Sequence, residues 1–82
     1  MRKVTLYSRE GCHLCDEARV ALERVHALAP FVLEVVDIEA DDALHARYLE
    51  RIPVIALDGE ELFDYFVDET ALVGRILYRE CG

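Results

Sequence analysis

With 82 residues, 54% of them hydrophobic, the chain has material for one modest core and a single domain, 1–82. Seventeen acidic residues against nine Lys and Arg give a net charge of −8, a field that repels phosphate backbones and anionic lipid headgroups and argues against nucleic acid or a membrane surface as partner. Three cysteines, two of them close together, suit a redox or metal pair in a reducing compartment better than a disulfide framework.

Residues 2–7 alternate Val4 and Leu6 with Thr5 and Tyr7, which predicts a first strand ending at Ser8. The basic start Met1-Arg2-Lys3 leads into an apolar run that stops at Tyr7, far short of a secretory or membrane-spanning segment, so a cytoplasmic chain is expected. Arg9-Glu10-Gly11 is then a turn. From Leu14 the positions Leu14, Ala18, Ala21, Leu22, Val25, Leu28 and Ala29 follow a helical period, and Pro30 stops the helix. The dense apolar run 31–38 predicts a strand buried on both faces of a parallel sheet, completing a right-handed βαβ unit. Asp41-Asp42 puts carboxylates at the start of a short second helix whose apolar pair is Leu44 and Tyr48. Strand-like runs 54–57 and 61–67 flank Asp58-Gly59, a strong hairpin signal, and are expected to be antiparallel. Asp68 can cap a last helix with Leu72, Val73, Ile76 and Leu77 on one face and Arg79 near its end. The order βαβαββα predicts an α/β three-layer sandwich, a four-stranded mixed sheet with helices on both faces.

Cys12-His13-Leu14-Cys15 follows a strand and opens a helix, a context that makes a short motif far more specific. At or beside the N-cap, unpaired backbone N–H groups and the positive end of the helix dipole favour the thiolate that attacks disulfides. Cys12 is therefore the expected nucleophile. Cys15, three residues on along the same helical face, is the expected resolving thiol. Two rival readings use the same residues: cysteines packed as small apolar side chains, and a zinc or iron–sulfur site completed by His13, Cys81 or a second chain. Arg9 favours a thiolate while Glu10, Asp16 and Glu17 oppose it, and His13 is either a charge modulator or neutral filler. His26 and His45 read as solvated, and Cys81 as a free thiol near the C-terminus.

The run Leu6-Tyr7-Ser8-Arg9-Glu10-Gly11-Cys12-His13-Leu14-Cys15 resembles the first strand and active-site loop of glutaredoxins, and Arg51-Ile52-Pro53-Val54 resembles the segment carrying their cis-proline. The resemblance in element order spans nearly the whole chain and implies a thioredoxin fold. It also implies that Cys12 attacks, that Cys15 is its partner, and that Pro53 is the cis-proline lying against the pair. A cis bond there turns the backbone of Ile52 toward the site to bind an extended substrate. Phe66-Val67-Asp68 stands where glutaredoxins have Gly-Gly before the final helix, and side chains of that bulk disfavour glutathione as a ligand. His13-Leu14 replaces the Pro-Tyr of dithiol glutaredoxins, and the Trp and buried acid of thioredoxins have no counterpart. The expected activity is dithiol exchange with protein disulfides, with no metal and no cofactor beyond the redox pair. Electrons are expected from a thioredoxin-reductase-like protein or from glutathione, and the chain is expected to act as a monomer. A metal-binding module and a degenerate thioredoxin-fold docking domain are the alternatives.

Overall fold

The computed structural model describes residues 2–77, so that Arg79 and Cys81 lie outside the described residues. Its elements are β1 (Lys3–Ser8), α1 (His13–Leu28), β2 (Val32–Asp37), a 3-10 turn (Ile38–Ala40), α2 (Asp42–Tyr48), β3 (Val54–Leu57), β4 (Glu60–Asp64) and α3 (Glu69–Leu77). The strands form one sheet in the order β2-β1-β3-β4, with β1 parallel to β2 and antiparallel to β3, and β3 antiparallel to β4. This is the mixed α/β architecture the element order predicts.

Local chemistry accounts for the joints. Asp58 and Gly59 adopt φ +50° and +89°, the positive pair that a two-residue hairpin loop demands, and Leu57 pairs with Glu60 across it. The Asp58 carboxylate also accepts the Lys3 N–H at 2.9 Å and the Arg2 Nε–H at 2.7 Å, tying the hairpin to the start of β1. Asp41 caps α2 by accepting the N–H groups of Ala43 and Leu44, and Asp68 accepts that of Ala71 at the start of α3.

Two apolar clusters hold these parts together. On one face of the sheet, Val4, Leu6, Ile55 and Leu57 pack against Ala18, Leu22 and Val25 of α1 and Leu72 and Ile76 of α3. At the other face the Tyr7 ring stacks on Tyr48 of α2 with centroids 4.5 Å apart, beside Ile38, Ile52 and Val54. Cys15 belongs to this second cluster, so α1 contributes to both.

Four expectations need correction. The strand buried on both faces is β3, whose four residues are all buried, whereas β2 is the sheet edge with Val32 and Val35 largely exposed. An edge strand has one neighbour, and Leu33 is the β2 residue that packs against the larger cluster. β4 ends at Asp64, three residues short of the predicted limit, because Tyr65 takes φ +69° and the Phe66 N–H turns back to the Asp64 carbonyl at 2.9 Å. Leu14, Leu28 and Leu77 are exposed, since the apolar stripes of α1 and α3 are wider than the contact between them. His45 is half-buried, and the exposed His26 ring meets Phe31 edge-on at 5.1 Å.

Candidate active site

The turn leading out of β1 is closed by the Cys12 N–H donating to the Arg9 carbonyl at 3.3 Å. Its third residue, Gly11, has φ +80°, a region that L side chains avoid, so glycine is what lets the turn aim the next residue. That residue, Cys12, is the N-cap of α1, with extended backbone dihedrals and a side chain directed back over the first turn. The Cys15 N–H donates to Cys12 Sγ at 3.2 Å, so one of the unpaired amides of the helix start is satisfied by sulfur.

The two thiols differ in environment. Cys12 is half-buried and reaches solvent, whereas Cys15 is 4% exposed. Burial pushes the Cys15 thiol from 9.0 up to about 12, reinforced by its hydrogen bond to Cys12 and by the negative charges of Cys12 and Asp16; the Arg9 backbone opposes them. Both are free thiols in this structure.

The remaining predicted residues divide. The Ile52–Pro53 peptide bond is cis, Pro53 is fully buried, and Ile52 shares the second cluster with Cys12 and Cys15. The Ile52 N–H donates to the Tyr48 carbonyl at 3.0 Å. Arg9 turns its guanidinium to Glu39, at 3.9 Å, and His13 is exposed in the first turn of α1. Among the described residues, no three His, Cys, Asp or Glu side chains gather as a metal-binding set.

Sequence reasoning missed the polar lattice behind the site. The Tyr48 hydroxyl donates to Glu61 Oε2 at 2.8 Å and Arg51 Nη2 to Glu61 Oε1 at 2.7 Å, while the Arg47 and Arg51 guanidinium carbons lie 5.4 and 5.6 Å from the Tyr48 ring centroid. Hydrogen bonds from Tyr48 and Arg51 hold the Glu61 carboxyl below its ordinary range. Tyr48 was legible as an apolar helix position, but nothing local links it to a carboxylate on β4. Tyr65 was missed as well: its N–H donates to the Pro53 carbonyl at 2.9 Å and its hydroxyl donates to the Glu50 carbonyl, which together hold a positive φ that tyrosine seldom adopts.

Residues 3–77 match the family described as glutaredoxin-like domain (DUF836). The chain belongs to this glutaredoxin-like family. The solution NMR structure of protein Ne2328 from Nitrosomonas europaea is 35% identical in sequence and superposes with a TM-score of 0.81, covering 92% of this chain and 91% of that one. The X-ray structure of protein XcR50 from X. campestris is 39% identical with a TM-score of 0.71, covering 87% and 91%. A mutant thioredoxin from Halobacterium salinarum, 23% identical with a TM-score of 0.66 over 99% of this chain and 77% of that one, shares the fold. An uncharacterized protein of Mycobacterium tuberculosis is 29% identical over 75 residues, covering 85% of this chain and 77% of its own length. Among the described residues of this glutaredoxin-like chain, no helix is long and apolar enough to cross a membrane.

Proposed function

We propose that this glutaredoxin-like chain is a thiol-disulfide oxidoreductase that reduces protein disulfides through Cys12 and Cys15. The observation that carries the reading is a half-buried Cys12 at a helix N-cap, whose sulfur accepts the amide N–H of Cys15, a second and buried thiol. Cys12 thiolate attacks one substrate sulfur; the new bond forms as the substrate S–S bond breaks, and the departing sulfur takes up a proton. Cys15 then gives up its proton and attacks Cys12 Sγ, which expels the second substrate thiol and leaves a Cys12–Cys15 disulfide. Two electrons have passed to the substrate, and an external thiol donor, a thioredoxin-reductase-like protein or glutathione, restores the pair. The first step eases the second: burial, the main cause of the raised Cys15 value, persists, but once Cys12 is in a mixed disulfide its charge and its hydrogen bond no longer add to it. An extended substrate pairs with the backbone at Ile52, whose course the buried cis-Pro53 sets, and a reducing compartment such as the cytoplasm keeps the pair ready.

Trapping tests the division of labour. Cys12→Ser should abolish disulfide reduction, whereas Cys15→Ser should accumulate a mixed disulfide at Cys12, detected by intact mass. Equal alkylation rates for the two thiols of the reduced protein would count against the assignment, and stoichiometric zinc or iron after purification in reductant would favour a metal module. Glutathione is expected to be a poor reductant, because Phe66 and Val67 crowd the approach to α3. The comparison is turnover coupled to glutathione against turnover coupled to thioredoxin reductase, and efficient turnover with glutathione alone would reverse this expectation.

A further inference from the structure

A groove of about 200 Å3 runs along α1 from Leu14 to Arg24, opposite the segment that joins β4 to α3. Leu14, one of the two residues between the cysteines, lines one end; Ala18 and Ala21 form the floor, and Tyr65, Phe66 and Val67 form the opposite wall. Leu14 is 46% exposed, Tyr65 51% and Phe66 67%, so three large apolar side chains face solvent within one groove whose near end is Leu14, the residue before Cys15. The wall is held in place, because Tyr65 is pinned to the carbonyls of Pro53 and Glu50.

The charges around this groove select its occupant. Glu17 stands on its rim, with Glu10, Asp16 and Asp68 exposed nearby. Arg24 and Glu69 line the far end of the groove and neutralise each other through a two-pronged contact at 3.0 and 2.8 Å, which leaves Glu17 as the charge in the lining without an opposite partner there, while Arg9 turns to Glu39. His13 and Arg19, both exposed, are the other basic side chains on this end of α1. The balance is negative, as it is for the chain as a whole.

Resting on the oxidoreductase reading above, we infer that this groove docks the substrate polypeptide and selects disulfides whose flanking residues include one apolar side chain and one Lys or Arg. The apolar side chain enters between Leu14 and Phe66, and the cation pairs with Glu17. An anionic segment is repelled before it reaches Cys12.

The test uses three disulfide-bridged peptides that differ only beside the cysteine: Leu with Lys, Leu with Glu, and Gly with Lys. Reduction of neutral 2-hydroxyethyl disulfide serves as the control on the chemistry. The wild type should reduce the Leu/Lys peptide about tenfold faster than Leu/Glu at low ionic strength, with the gap shrinking as salt is added. It should also prefer Leu/Lys over Gly/Lys by about tenfold. Glu17→Lys should invert the Lys-to-Glu preference, and Phe66→Gly should erase the Leu-to-Gly preference; each ratio is internal to one variant, so a partial loss of folded protein does not alter it. Equal rates for all three peptides, with the neutral disulfide still reduced, would overturn the inference and leave the oxidoreductase reading standing. A preference for glutathione disulfide over Leu/Lys, or a dimer abolished by Phe66→Gly, would assign the groove to another occupant and also overturn it. Failure to reduce even the neutral disulfide would overturn the reading on which the inference rests.

Discussion

Cys12 and Cys15 are the same side chain in two environments, one capping a helix at the surface and one packed under it among Ile38, Ile52 and Val54. Burial, with the Cys12 hydrogen bond and charge added to it, raises the Cys15 thiol to about 12, so near neutral pH it is held as the thiol. Over the range in which it remains mostly protonated, the thiolate fraction rises about tenfold per pH unit. The mixed disulfide should therefore shorten in lifetime as pH rises, which stopped-flow release of a fluorescent thiol measures. A stability effect follows from the same group. Its folded value lies above the unfolded value of 9.0, so as pH rises the unfolded chain loses this proton first. The stability it contributes is fully present below pH 9.0 and is lost as pH climbs through about 12. Urea midpoints of the reduced protein should fall across that window, and Cys15→Ala should fall less.

Among the elements, the short joints position the chemistry. The turn before α1 depends on Gly11 at φ +80°; an added Cβ there meets no atom within 4 Å, so the cost of a side chain is conformational and not steric. Gly11→Ala should lose about 1–2 kcal/mol of stability and slow reduction by tilting Cys12 away from its capping position. Unchanged activity together with unchanged stability would show that another residue tolerates this turn. The segment after β4 works differently: it has no glycine, and Tyr65 is kept at positive φ by the two bonds it donates to carbonyls of the segment joining α2 to β3. For that reason the first turn was legible in Arg9-Glu10-Gly11 while the second was read as the continuation of a strand. Helix starts were legible too, since Asp41 and Asp68 act on amides two or three residues away.

For the molecule as a whole, the two clusters divide the work. Leu72 is fully buried in the larger cluster, under α3, and does not belong to the cluster that contains Cys15. Leu72→Ala should cost about 2–5 kcal/mol, a large share of the about 5–15 kcal/mol that a domain has. Under strongly native conditions the alkylation rates of the two cysteines should stay near the wild-type values. A large change in those rates would mean that the clusters are coupled through α1, the one helix that enters both.

What the sequence determined by itself is local: the order of elements, the caps, the Asp58-Gly59 hairpin, and a cysteine pair opening a helix directly after a strand. Each is set by residues within one turn or one strand of each other, where propensity and hydrogen-bond reach operate. Tertiary structure decided the rest. Only the packing of β1 between β2 and β3 made β2 an exposed edge and β3 a buried centre. Only the approach of β4 to α2 joined Glu61 to Tyr48 and Arg51, and only the meeting of the Tyr65–Val67 segment with α1 built a groove that starts at Leu14. These contacts join residues from 10 to more than 40 positions apart, and a pairing at that range is set by how the elements pack on one another, which no pattern local to either partner records.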